Sequence, residues 1–111
     1  MVEKDYVKKV SKYLVELVGD RIVETLPVIK CRQDGSFTLI LPKLYNRLIV
    51  LNPTATEIYK LCLEKKTVRE IVGKMCELYS DVDYEVIAGD VLRVLRDFEK
   101  KSLCVLKRRR T

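Results

Sequence analysis

Proton-transfer chemistry near neutral pH most often uses a histidine, and this chain of 111 residues contains none. A general base would have to be a carboxylate, lysine or cysteine moved far from its ordinary pKa. The carboxylates Glu57, Glu70, Asp90 and Asp97 fall on the polar sides of expected helices, where a solvated surface accounts for them. Cys31, Cys62, Cys76 and Cys104 form no Cys-x-x-Cys pair, and no histidine is there to complete a zinc set. Cys62 and Cys76 occupy apolar helical positions and read as small buried hydrophobes. With 34% charged residues, no tryptophan and only Gln33, Asn46 and Asn52 as amides, the composition leans toward heat-adapted proteins. Intracellular disulfides occur in such proteins, and Cys31 with Cys104 is then the pair to expect. The four glycines, Gly19, Gly35, Gly73 and Gly89, are scattered, so none belongs to a phosphate-binding loop. These residues predict no catalytic site, no metal site and no cofactor, and therefore not an enzyme.

The formal net charge is +6, but Lys107, Arg108, Arg109 and Arg110 supply four of those charges, so the body is nearly balanced. A run of like charges repels itself and reads as a solvated basic tail, residues 107–111. No stretch reaches the roughly 18 apolar residues of a membrane helix, and the opening MVEKDYVKK is too charged for a signal peptide. A cytoplasmic protein without a membrane partner is expected. Length and 48% hydrophobic content suit one small core.

Residues 1–20 form an amphipathic helix by spacing, with Tyr6, Val7, Val10, Tyr13, Leu14, Leu17 and Val18 on its apolar face. Gly19 ends it, in the reading that glycine tolerates the left-handed closing residue. Residues 27–106 follow as the main domain. In VIKCRQDGSFTLIL, Asp34-Gly35 predicts a type I′ hairpin facing Arg32 with Phe37 and Lys30 with Leu39. Ile29, Cys31, Thr38 and Ile40 go to the other side. Arg47–Leu51, apolar and β-branched, is a third strand. Asn52 with Pro53 starts a helix that buries Ala55, Ile58, Tyr59, Leu61 and Cys62. Thr67 and Glu70 match a capping box that opens a second helix, with Val68, Ile71, Val72, Met75, Cys76 and Tyr79 turned inward. Asp83 caps a third, carrying Ile87, Val91, Val94, Leu95 and Phe98, and LCVL after Ser102 suits a short strand. The fold class is α+β: a winged-helix-like domain of a three-stranded antiparallel sheet followed by a three-helix bundle, with the extra N-terminal amphipathic helix.

Strand order makes the first and third strands edges. Lys30 and Arg32 protect the first, whereas Arg47–Leu51 has no interior charge or proline and can accept an extended peptide by main-chain hydrogen bonding. The bland alternative is that Leu48, Ile49, Val50 and Leu51 are plain core, or that the C-terminal strand covers the edge.

From Leu51-Asn52 through Ala55, Ile58, Tyr59 and Leu61, then Thr67-Val68 with Ile71-Val72, then Val91, Leu95 and Leu103, the chain resembles the PqqD family of peptide chaperones. That family is also described as recognition elements for ribosomally made, modified peptides. One departure is Glu64-Lys65-Lys66, where relatives commonly carry a glycine before the threonine. The resemblance implies that a precursor peptide's leader docks as an extra strand between the third strand, Arg47, Leu48, Ile49, Val50 and Leu51, and the last helix at Val91, Leu92, Leu95 and Arg96. It also implies a radical S-adenosylmethionine enzyme, or another peptide-modifying enzyme, as partner. A charge at Ile49 or Leu95 is then expected to abolish peptide binding in a folded domain. The competing reading is a winged-helix DNA-binding transcriptional regulator. Asp83, Glu85 and Asp90 at the start of the last helix oppose it, because they would repel phosphates, so nucleic acid is not an expected partner. A homodimer through the N-terminal helix is a further expectation.

Overall fold

A computed structural model describes residues 13–108. Helical residues 13–18 (α1) lead into β1 (Ile22–Thr25), β2 (Val28–Asp34), β3 (Phe37–Pro42) and β4 (Ile49–Leu51). Three helices follow, α2 (Pro53–Leu63), α3 (Val68–Leu78) and α4 (Tyr84–Lys100), and then β5 (Cys104–Lys107). The antiparallel sheet runs β2-β3-β4, the meander that the strand pattern predicts. β1 and β5 form a separate antiparallel ribbon. β1 was not among the expected elements: four residues are too few for alternation to mark a strand without its distant partner. The other side of β1 is also tied down, because Val23 N–H donates to the Lys66 carbonyl and Val68 N–H to that of Arg21, at 3.0 Å each.

The hairpin differs from its expected register. Asp34 faces Phe37, Arg32 faces Leu39 and Lys30 faces Leu41, so the loop is Gly35-Ser36. Gly35 has φ +63° and Ser36 is not in the left-handed region, which suits a type II′ turn with glycine at its first central position. The shift moves both strands by one residue and leaves the faces of Lys30, Arg32, Leu39 and Cys31, Thr38, Ile40 as expected. Ile29 is the exception, because a bulge between Val28 and Lys30 takes it out of the ladder and leaves it exposed.

Each helix start follows its local sequence. Asn52 Oδ1 accepts from Ala55 N–H at 2.8 Å with Pro53 at the first helical position. Thr67 and Glu70 complete the capping box, with Glu70 N–H to Thr67 Oγ1 at 3.2 Å and Thr67 N–H to Glu70 Oε1 at 3.0 Å. Asp83 stands at the N-cap of α4, its carbonyl accepting from Val86 and Ile87. The helix ends are less ordinary. Lys65 and Ser102 follow the caps of α2 and α4 with φ of 56° and 57°, the left-handed closing residue that glycine usually supplies.

The core gathers Ile40 and Ile49 from the sheet with Ile58, Ile71, Met75, Val91, Leu95 and Phe98 from the helices. Tyr59 meets Phe98 edge to face, with centroids 5.9 Å apart, worth about 0.5–1.5 kcal/mol beyond the area buried. The helical stripes match their periodicity apart from Leu61, Cys76, Tyr79 and Val94, which are half-buried at the margins. α1 departs further. Val15 is its buried residue and Val18 is half-buried, whereas Tyr13, Leu14 and Leu17 are exposed. Tyr6, Val7 and Val10 lie outside the described residues.

Gly19 has no positive φ, so the left-handed explanation for it is wrong. It is there for close approach: a β-carbon would press on the Val15 carbonyl and come within 2.8 Å of Arg69 Nη2. The expected Cys31–Cys104 disulfide is absent; all four cysteines are free, with Cys31 exposed on the hairpin and Cys104 buried. Lys107, read from the sequence as the start of the tail, is the last residue of β5 and pairs with Glu24 at 2.8 Å.

Candidate functional site

β4 is joined to the sheet on one side only. Thr38 faces Leu51, Leu39 faces Val50 and Ile40 faces Ile49 across β3, and among the described residues no strand lies beyond β4. β5, which could have closed that edge, is paired residue for residue with β1 instead. In an antiparallel ladder alternate residues turn their N–H and C=O away from the partner, so the outer rim of β4 carries main-chain groups that β3 does not satisfy.

The strand alternates as a half-buried strand should. Ile49 and Leu51 point into the core at 4% and 3% exposure, and Val50 points outward at 59%. Arg47 and Leu48 precede the strand and are exposed, Leu48 at 62%, so the expected strand Arg47–Leu51 is shortened to its last three residues. Its far end is fixed to α2, because Thr56 Oγ1 donates to the Leu51 carbonyl at 3.3 Å.

A cavity of about 120 Å³ opens between the helices, lined by Thr54, Ile58, Met75, Tyr79, Asp90 and Val91 among others. A cavity of roughly 150 Å³ is enough for benzene, so this one is of a size for a single aliphatic side chain. Of the helix residues taken from the resemblance, Val91 and Leu95 are buried, Leu92 is half-buried against the core and Arg96 is exposed. Val91 alone of the four lines the cavity. Its neighbour there is Asp90; Leu92 lies about 100° further round the helix. One turn along from Asp90 and Val91 on the same side stands Val94, which the strand-and-groove reading did not include. The 3.6-residue period carries that signal once one contact of α4 is known.

Burial also changes what a substitution can test. Ile49 and Leu95 are core residues, so a charge at either attacks the fold and does not probe a groove in a folded domain.

The charges nearest the edge are basic and unpaired. Lys43 and Arg47 are exposed, and neither has an ion-pair partner among the described residues. On the helices the cations are largely neutralised: Arg69 pairs with Asp20, Lys74 with Glu77, Arg93 with Asp90 and Lys101 with Asp97. The thiols move away from reactivity. Burial pushes Cys62 up strongly and Cys104 up to about 12, so neither is a thiolate nucleophile at neutral pH.

A three-stranded antiparallel sheet with β2 and β4 as its two edges is followed by three helices, and comparison with known sequences gives that arrangement a family. The sequence pattern of the family described as "Coenzyme PQQ synthesis protein D (PqqD)" matches residues 37–103, more than half of the chain. The protein belongs to the PqqD family. The matched segment starts at β3 and ends just before β5, so α1, β1, β2 and β5 lie outside it. Among solved structures, "TbiB1 in Complex with the TbiA(beta) Leader Peptide" is similar at a TM-score of 0.66 and 23% identity. The similarity covers 73% of this chain and 93% of that one, and at such identity it speaks for the fold. No curated protein gives a significant match. Among the described residues no helix is long and apolar enough to cross a membrane.

Proposed function

We propose that this protein is a non-catalytic peptide-binding chaperone that takes a precursor peptide's leader as an added strand on β4 and presents it to a modifying enzyme. The observation that carries the reading is the unpaired rim of Ile49–Leu51, left open while the C-terminal strand is used elsewhere. Support comes from the PqqD family membership and from the similarly folded protein that was solved with a leader peptide. On the helix side the groove is assigned to Val91, with Asp90 and Val94 beside it, in preference to Leu92 and Arg96. In this reading the 120 Å³ cavity between the helices takes one aliphatic side chain of the guest. A radical S-adenosylmethionine enzyme, or another peptide-modifying enzyme, is the partner that this role implies.

The test uses peptides selected on the protein from a displayed library of random linear sequences. Among the Ile49, Val50 and Leu51 amides, hydrogen exchange of those that point away from β3 is expected to slow when a selected peptide is added, as rim N–H groups gain carbonyl partners. Unchanged exchange at those amides with a bound peptide would remove the strand-addition reading. A hairpin standing beside three helices also fits the winged-helix-like description, but paired helix cations are a poor phosphate-binding surface. Self-association through Tyr13, Leu14 and Leu17 of α1 is the remaining partner expectation. The solution mass of a Leu14→Ser, Leu17→Ser variant decides it.

A further inference from the structure

The outer face of the sheet continues to the rim in two side-chain rows. The first runs Arg32, Leu39, Val50 across β2, β3 and β4. The second is the pair Lys30, Leu41, and Leu48, which directly precedes β4 outside the paired register, takes its third place if the β3–β4 register is carried one residue further. Each row passes from a cation through a half-buried leucine to a large aliphatic side chain more than half exposed, and each stops at the open edge. On a pleated sheet, directly opposed side chains are about 5 Å apart and stabilise one another, so a row is complete only when the next strand supplies its member. Nothing among the described residues does so at Leu48 and Val50.

Resting on the strand-addition reading, we propose that the outer face selects the guest: the protein prefers precursor peptides with two apolar residues spaced i and i+2, which pack beside Val50 and Leu48. The occupant is an extended peptide because this apolar surface is continuous with the unpaired main chain of β4. The same guest residue that lies opposite Val50 is held by the ladder that gives affinity. Period two fixes the spacing whether the guest runs parallel or antiparallel, since alternate side chains of any strand share a face. Residues between the selected pair take the opposite face, the side on which Ile49 and Leu51 lie. Recognition is thus two-sided, with inward anchoring against α4 and outward pairing with the rows. β-Branched and aromatic residues should lead at the outward positions, because they cover most of a neighbouring aliphatic side chain on a pleated surface.

The experiment selects displayed random peptides of about 12 residues, twice the usual strand length, on the parent protein and on a Leu48→Ser, Val50→Thr double variant. Both replaced side chains are solvent-exposed, and a thermal melt confirms that the variant folds; Leu44→Ser, an exposed leucine off the rows, is the control. Peptides enriched on the parent are expected to carry the i, i+2 apolar pair and to bind the double variant about tenfold more weakly, two cross-strand pairs being lost. The Leu44→Ser control should bind as the parent does. Changing the peptide pair to serine should weaken binding to the parent but hardly alter binding to the double variant, the mark of direct coupling. Equal affinity for parent and double variant, or additive losses, overturns the row proposal while peptide binding itself stands. A parent that enriches no peptide, or enriched peptides that leave the Ile49–Leu51 amides unprotected, overturns the strand-addition reading and the rows with it. A doubled solution mass traced to β4 would put a second copy on the rim and also overturn the proposal.

Discussion

Lys65 adopts the conformation that side chains resist, with φ of 56° at the residue after the cap of α2, where its N–H reaches the Cys62 carbonyl at 3.0 Å. An L-residue in that region is disfavoured by about 1–2 kcal/mol because its β-carbon crowds a carbonyl oxygen. The resemblance had pointed to the oddity from the other direction, with Glu64-Lys65-Lys66 standing where a glycine was expected. Lys65→Gly is therefore expected to stabilise the fold by about 1 kcal/mol, allowing for the freer unfolded chain, or about 4 °C in melting temperature. A thermal melt that leaves the midpoint unchanged or lower would show that Lys65 makes compensating contacts. Gly19 is the reverse case. A methyl group there meets the Val15 carbonyl and the Arg69 guanidinium, so Gly19→Ala should lower stability by about 1–3 kcal/mol in a denaturant titration.

Two elements set the limits of the site. β4 divides its residues between core and rim, so Ile49→Asp should unfold the domain outright. Burying a carboxylate among Ile40, Ile58 and Leu95 costs several kcal/mol of a total that is about 5–15. Val50→Thr should leave the circular dichroism spectrum and melting midpoint nearly unchanged. The β1–β5 ribbon matters because it engages the strand that would otherwise be available to close the rim. Glu24 lies on it at 2.8 Å from Lys107, and the lysine, through its hydrogen bond and its charge, holds the carboxyl below the ordinary value of 4.5. A carboxylate depressed in the folded state contributes stability that is complete above its unfolded value and is lost as pH falls through the folded one. Acid unfolding below pH 4.5 should accordingly be less steep in Glu24→Gln than in the parent, with the two alike at neutral pH apart from the lost pair.

At the scale of the molecule, charge separates the two binding readings. The formal charge of +6 would draw nucleic acid to the chain in low salt, but Arg69, Lys74, Arg93 and Lys101 are each beside a carboxylate. Weak duplex affinity that vanishes between low and physiological salt, with peptide affinity largely retained, is the expected result of titrations at two ionic strengths. Salt-sensitive duplex affinity that survives removal of Lys107 to Arg110 and persists at physiological salt would favour the regulator instead. The family match spans β3 to the end of α4, so the rim and its helical border are the shared part. The hairpin strand β2, with Lys30 and Arg32, and the β1–β5 ribbon lie outside the matched segment.

Local rules read from one sequence were enough for the meander, the three helices and their caps, since Asn52, Thr67 with Glu70 and the apolar periods each act within a few residues of themselves. They also marked Arg47–Leu51 as a strand without edge protection, of which Ile49–Leu51 is the paired part. They could not place β1, whose four residues become a strand only against Cys104–Lys107 at the far end of the chain. Nor could they choose which apolar stripe of α1 is buried, or which residues of α4 line the cavity, because those depend on a partner surface that exists only after folding. Whether the rim of β4 stays open was a decision of the same kind: β5 has the composition to close it, and its tertiary pairing with β1 leaves the rim without a partner strand among the described residues.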